Sequence, residues 1–444
     1  MARLPPLISG GVPLVGHAVE FLKEPLDLLA RGYQEGGEIF SLRLGRQSAV
    51  VLLGPERNHL FFEETDRRLS IREAYPFMSR MFDEGFFFFA EPEQYLRQRN
   101  LIIQRFQGRQ MTSYVSVMAL ETTQLITRLG EAGEFDLVPT LGPLVMNIAA
   151  HAFLGADFRH WLGGSFFALF RDFSNGMDPI IPGWLPLPRI VRSHKARAQL
   201  HAMIGDLIAA RRRQPADPPD FLQALVTSHY PDGEAVPDMI LIHLILLLVW
   251  AGHETTAGQV SWGLIDLLQH PEALERVRAN QHEVLGDTLD LDAAEARRLQ
   301  QIEWALKETE RLHPVAFILM RLVQEELVVD DFSIPPGTIL LLTPWFSHRL
   351  QEVYPDPTRY LPERHDPART EAPPYSLIGF GGGAHRCAGV NFAYQEMKVV
   401  ITLLLQAFDL ELVDPAPRPV AGSHTKWPAS PCRVRYRRRV HARV

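Results

Sequence analysis

The sequence predicts a mainly α-helical chain with a minor β component. Three stretches carry that expectation. MILIHLILLLVWAG, Met239 to Gly252, is too long and too apolar for a strand and reads as a helix buried on all sides. The text after it repeats apolar residues at helical spacing through Val260, Leu264, Leu267 and Leu268, and Pro271 marks a break. After Cys387, residues Val390, Ala393, Met397, Val400, Ile401, Leu404 and Phe408 fall on one helical stripe.

Taken in order, the other segments fit that frame. The start, MARLPPLISGG, is broken by Pro and Gly and lacks the three regions of a signal peptide. EIFSLRLGRQSAVVLLG reads as two short strands about a turn at Gly45, and LVVDDFSIPPGTILLLT as a second short β region. RRRQPADPPDF, Arg211 to Phe221, reads as a loop between helices. Neither side of it resembles an independent unit, so residues 1–444 are expected to form a single domain.

An apolar share of 46% is enough to bury a large core. A net charge of −7 gives no reason to expect nucleic acid as a partner. The basic clusters at Arg211–Arg213 and Arg433–Arg439 read as solvated faces first, docking sites second. Cys387 and Cys432 are the only cysteines, too few for a disulfide framework and without CxxC spacing for zinc. A cytoplasmic protein is the expectation. The apolar run at Met239 falls short of the ~20 residues that span a bilayer, so no membrane anchor is expected.

The chemistry concentrates in FGGGAHRCAG, Phe380 to Gly389. A cysteine at a helix N-terminus faces free amides and the positive end of the helix dipole, which favour thiolate. The preceding glycines let the backbone turn tightly against a flat partner, and His385 and Arg386 add positive charge. Such a site suits a thiolate that binds the metal of a large planar anionic cofactor. A phosphate-cradling loop would need the lysine and hydroxyl of GxxxxGK[ST], which are missing. A Cys–His catalytic pair and a buried structural cysteine remain open on these residues alone.

This stretch resembles the haem-binding signature of the cytochrome P450 family, with Phe380, Gly383, His385, Cys387 and Gly389 in place. Haem iron held by a Cys thiolate is a general feature of that family. The resemblance spans nearly the whole chain. It implies a triangular helical prism with small β-sheets, a long central helix over the haem, and heme b (iron protoporphyrin IX) ligated by Cys387. In KETERLHP, Glu308 and Arg311 stand one helical turn apart and can pair; alone they would suggest a surface ion pair. The resemblance implies instead a structural lock with Arg364 of LPERHDP. In WAGHETTAG an HExxH zinc site fails because position 257 is Ala. The family's acid–alcohol pair, here Glu254 and Thr255, would guide protons to dioxygen, with Gly252 leaving room and Ala251 touching substrate. The other reading of Thr255 is a back-bond to its own helix. Tyr95 and Arg99 in PEQYLRQR, Arg321 in ILMR, His385 and Tyr75 are the implied haem contacts, although each cation alone would read as a solvated charge.

REAYPFMSRMFDEG, ILMR and the ending CRVRYRRR resemble the sterol 14-demethylase branch in its soluble bacterial form. Tyr75, Phe77, Met78 and Phe82 match positions that line its haem edge and substrate cavity, although an aromatic and Met stripe is often plain core; the FFFF run at Phe86–Phe89 is read as core. That branch carries a histidine where this chain has Glu254, and His253 is displaced by one position, about 100° around the helix. The expected function is therefore insertion of one oxygen atom from O2 into a bulky apolar substrate, sterol, terpenoid or polyketide-like. Electrons would come from NAD(P)H through a ferredoxin or flavodoxin and its reductase. Sterol 14-demethylation proper, a peroxide-driven or non-oxidative haem-thiolate enzyme, and a non-catalytic haem or ligand-binding protein are the alternatives.

Overall fold

The computed structural model describes residues 3–156, 158, 165–176, 186–369, 372–422 and 425–439. Its axis is a single helix, Asp238–Gln269, into which both apolar stretches of the middle sequence merge. Its 32 residues span ~48 Å at 1.5 Å each. The helix starts after Pro237, whose extended backbone feeds the first turn, and stops at His270, before Pro271. The polar turn GHETT does not end it. No proline interrupts this stretch, and the Thr255 hydroxyl returns to the helix's own Ala251 carbonyl at 2.6 Å.

The expectation that the apolar run is too short to cross a bilayer is corrected by this continuity. By length and composition Asp238–Gln269 and Leu137–Leu154 both qualify, yet their most apolar windows are 50% and 67% buried and the two helices pack on each other. Their apolar faces are spent on the protein core. The helices Val390–Ala407, Gln300–Leu312 and Pro188–Arg213 complete the packing around the axis. Many of the scattered prolines have a common role: Pro25, Pro55, Pro92, Pro188 and Pro271 each open a helix, where the missing N–H costs nothing.

Strands are few and flank the helices. A five-stranded sheet runs in the order Ile39–Leu44, Gln47–Leu52, Ile339–Leu342, Leu319–Val323, Leu69–Ser70. Its first pair is the hairpin expected about Gly45, with Ile39 opposite Leu52, and Gln47–Leu52 lies parallel to Ile339–Leu342. Leu319–Val323 places Arg321 opposite Leu340. A three-stranded sheet joins Ala132–Asp136, Arg433–Arg438 and Phe408–Leu412, and Leu327–Val329 pairs with Phe332–Ile334.

The helix after the cysteine, Val390–Ala407, is buried on every side from Glu396 to Ala407, so the single stripe was too narrow. It is sandwiched between Arg109–Leu129 and the long helix, and Phe408 already belongs to a strand. The basic clusters are paired at the surface: Arg211 with Asp220, Arg212 with Asp238, and Arg435 with both Glu134 and Glu411. Of the FFFF run, Phe86 and Phe87 are core; the Phe88 side chain lies outside the described residues.

Candidate active site

The most tightly bonded part of the site is the Glu308–Arg311 pair, and it is not at the surface. Both side chains are fully buried. Arg311 donates to Glu308 through Nε at 2.9 Å and Nη2 at 2.8 Å, and to the carbonyls of His348, Pro357 and Arg359 at 2.7–3.0 Å. Glu308 also accepts from the Leu361 amide at 2.9 Å, Arg364 Nε at 3.2 Å and His365 Nε2 at 2.9 Å. Burial alone would raise its carboxyl. The bonds from Arg311 and His365 outweigh that and pull it down to about 2. One carboxylate thus ties the helix Gln300–Leu312 to the 357–365 segment. His365 was not foreseen, because nothing in its local sequence marks it.

The cysteine loop follows from its glycines. Gly381 and Gly383 hold φ of 70° and 61°, which side-chain-bearing residues rarely adopt. At Gly382 a Cβ would sit 2.6 Å from the Phe62 ring, so the loop lies flush on the helix Pro55–Glu63. The loop closes with the Cys387 amide donating to the Phe380 carbonyl at 2.9 Å. Cys387 precedes its helix rather than standing in it: Gly389 is the N-cap and Val390 the first helical residue. The amide of Gly389 still reaches the sulfur. Burial pushes the Cys387 thiol up, against the Gly389 amide, Arg99 and Arg386, so helix and charge do not by themselves make a thiolate here. A bound cation would take the proton's place.

Cys387 is enclosed by protein yet accessible. Ala251 is accessible as well, although the long helix is buried on either side of it, and a Cβ on Gly252 would meet nothing within 4 Å. Side chains that are enclosed and still accessible face an internal space. Glu254 is half-buried beside it, and burial raises its carboxyl. His253 turns the other way, bonded to the Gly142 backbone, with burial holding it down to about 4. Thr255 spends its proton on Ala251, leaving the hydroxyl oxygen as an acceptor.

Two arginines border the loop without an ion pair among the described residues. Arg321, 3% exposed, donates Nε to Thr65 Oγ1 at 3.0 Å and Nη1 to the Met320 carbonyl at 2.8 Å, and its guanidinium lies over Phe61. Arg99 donates to the Arg386 carbonyl at 2.7 Å, while its buried Nε has no partner. Asp66 acts on Arg321 through its charge without pairing with it among the described residues, and a buried guanidinium without a contacting counter-charge is costly. Tyr95, pushed up to about 12 by burial, bonds Arg99 and stacks on His385 at 4.2 Å. His385, expected among the haem contacts, has its Nε2 2.6 Å from Asp66. Asp66 was missed because it lies far away in sequence. The Tyr75 hydroxyl accepts from the Met320 amide at 3.0 Å, next to Arg321. Two arginines without ion pairs among the described residues, beside an accessible cysteine under a glycine-rich loop, fit a planar group with two carboxylates and a thiolate-seeking metal.

The substrate-side residues divide. Tyr75 and Phe77 are partly exposed, their rings 5.8 Å apart, whereas Met78 and Phe82 are core. Phe82 is fully buried and packs among Phe86, Phe173 and His243. Arg197 clasps this segment through the Met81 carbonyl at 3.0 Å and Asp83 at 2.5 Å. A separate cleft of about 570 Å³ opens beside the cysteine helix, lined by Lys307, Arg386, Tyr394 and Lys398 among others. None of Ala251, Glu254 or Cys387 lines it.

Comparison with known proteins agrees with this arrangement. The sequence profile described as Cytochrome P450 matches residues 5–426. The chain is 32% identical to the sterol 14alpha-demethylase of Mycolicibacterium vanbaalenii and 33% identical to that of Mycobacterium tuberculosis, in each case over 98% of both chains. Its fold superposes on retinoic acid bound cyanobacterial CYP120A1 with a TM-score of 0.88, at 26% identity, covering 99% of this chain and 100% of that one. From the profile match and the full-length relatives, the chain belongs to the cytochrome P450 family and is an oxidoreductase of its monooxygenase class.

Proposed function

We propose that this enzyme uses haem b, held by Cys387, to insert one atom of O2 into a bulky apolar small molecule of sterol, terpenoid or polyketide type. The observation that carries this reading is the accessible Cys387 sulfur beneath a glycine loop, flanked by Arg99 and Arg321, which make no ion pair among the described residues. When bound, the haem supplies the activation of dioxygen, with electron density from the thiolate assisting. Arg99, Arg321 and Tyr95 bind its carboxylates, and Phe380, His385 and Gly389 fix the loop around the sulfur. The Gly389 amide steadies negative charge there. Glu254 takes up and passes on a proton beside the internal space, a role that burial favours by raising its carboxyl. Thr255 offers its oxygen as the next acceptor, its own proton anchored on Ala251. Tyr75, Phe77 and Ala251 orient the substrate, backed by Met78 and Phe82. Electrons come from NAD(P)H through a separate ferredoxin or flavodoxin and its reductase, docking on the cysteine side where Arg386 is exposed. Cytoplasmic residence suits two unbridged cysteines.

Sterol 14-demethylation proper is a second reading, favoured by 32–33% identity to sterol demethylases along 98% of the chain. Glu254, where that branch carries histidine, weighs against it, and the retinoic acid of the cyanobacterial neighbour keeps terpenoids in view. An optical titration of the purified protein against sterols, terpenoids and macrolides tests both. A saturable shift of the haem spectrum followed by an oxygenated product supports the first reading, and loss of the 14-methyl group the second. Turnover with peroxide but not with reduced donor, or spectral shifts without any product, would overturn both.

A further inference from the structure

Glu310 has no place in the mechanism above. It lies one residue before Arg311, is 4% exposed, and faces the cysteine loop instead of the Glu308 network. Its carboxyl accepts from the Tyr394 hydroxyl and from the Gly379 amide. Gly379 is shaped to it: a Cβ there would sit 2.6 Å from Glu310 Cγ and 2.7 Å from Oε1. The next residue, Phe380, receives the Cys387 amide on its carbonyl and packs its ring 5.2 Å from Tyr394. The carboxyl is therefore joined to the cysteine loop by a short backbone path. Tyr394 in turn lines the 570 Å³ cleft, which gives the buried acid a route to solvent.

We propose that Glu310, held by Tyr394 and the Gly379 amide, is a positioning residue for Cys387 whose charge sets the reduction potential of the haem bound there. The proposal rests on Cys387 as iron ligand. Glu310 acts through the Gly379–Phe380 backbone and through its field, which opposes negative charge on the Cys387 sulfur. A negative Glu310 favours the oxidised, more positive site; a neutral one favours the reduced site. An electron delivered by the redox partner is then accompanied by a proton taken from the cleft through the Tyr394 hydroxyl to Glu310. One electron and up to one proton arrive together, and the net charge of the site changes little.

The surroundings let Glu310 change charge near neutrality. Burial raises its carboxyl to about 7, against the bonds from Tyr394 and Gly379 and the charges of Arg386 and Lys307. Tyr354 also faces it, and Glu303 acts on Tyr394. His348 bonds the Glu310 backbone but is pushed down to about 3 by burial, so it adds no charge. Below neutrality Glu310 is neutral and the potential is high; as pH rises through about 7 it ionises and the potential falls.

Spectroelectrochemical titration of the haem-loaded enzyme at pH 5–9 tests this. The wild type is expected to lose up to ~59 mV per pH unit across neutrality, the value for one proton per electron. Glu310→Gln should stay near the acid plateau without that slope. Tyr394→Phe should keep the slope but move its midpoint to higher pH, because the lost hydroxyl favoured the charged form. A flat wild type, or a Glu310→Gln profile that retains the slope, overturns the proposal. In Cys432→Ser protein without haem, alkylation of Cys387 at pH 8 should be several-fold faster with Glu310→Gln, and an unchanged rate contradicts the field effect. Should the reduced carbon monoxide complex of the wild type lack a thiolate signature, the ligand assignment itself has failed; a thiolate signature with a flat potential fails this inference alone.

Discussion

Replacing Glu308 by Gln keeps its shape and removes its charge, and the structure sets the size of the effect. Lowering a carboxyl from 4.5 to about 2 is worth ~3 kcal/mol of folding free energy at ~1.36 kcal/mol per unit. An independent estimate agrees: removing one partner of a fully buried ion pair costs ~3–5 kcal/mol, because the remaining charge is left uncompensated. Here that charge is Arg311, whose other three bonds are to backbone carbonyls. The sign with pH is fixed by the depressed value. The contribution is complete above about pH 4.5 and is lost as pH falls toward 2. In urea titrations, Glu308→Gln should unfold ~3 kcal/mol more easily than wild type at pH 7. The gap should narrow by ~1 kcal/mol at pH 4 and ~2 kcal/mol at pH 3, as the carboxyl of the unfolded wild-type chain binds the proton that the folded one still excludes. Comparing the two proteins cancels the other acids. A gap below ~1 kcal/mol at pH 7, or one that does not close in acid, would refute the account of this pair as a buried charged lock.

Two further changes test the internal space. Glu254→Gln should lower turnover ~10²-fold, the scale of a lost general acid–base group, while the substrate-induced spectral shift keeps its affinity; an unchanged rate would remove Glu254 from proton delivery. Gly252→Ala places a methyl where nothing lies within 4 Å, in the middle of a helix. Stability should rise by ~0.5–1 kcal/mol, while bulky substrates bind more weakly because the methyl enters the space they need. A drop in melting temperature would show that the space is packed.

The parts of this structure legible in the sequence are those whose chemistry is local. FGGGAHRCAG carries its meaning in consecutive residues, since positive φ at Gly381 and Gly383 and close approach at Gly382 demand glycine. Glu308 and Arg311 are visible as a pair because they share a helix turn, and Arg364 through its motif. His365, Asp66 and Tyr394 were not visible, because their partners stand 57, 319 and 84 residues away and nothing around them signals the contact. Phe82 shows the same limit. Its apolar character marks burial, but its packing against Phe173 and His243, 91 and 161 residues away, is not visible in the local sequence. The length of the central helix was concealed by GHETT, since polar residues inside an apolar run read as an end until Thr255 is seen bonding its own helix. Ala132–Asp136, which pairs with Arg433–Arg438, has too little β-branched or aromatic character to be read as a strand alone.

The most direct test of Cys387 as the haem ligand is the optical spectrum of the reduced, carbon monoxide-bound protein in wild type, Cys387→Ser and Cys432→Ser. Cys432 is buried just before the strand Arg433–Arg438, its amide donating to Asp136, and should be silent. The account predicts a thiolate-ligated haem in wild type and Cys432→Ser, and loss of that signature in Cys387→Ser. A wild-type protein that takes up no porphyrin, or a thiolate signature that survives Cys387→Ser, would contradict it.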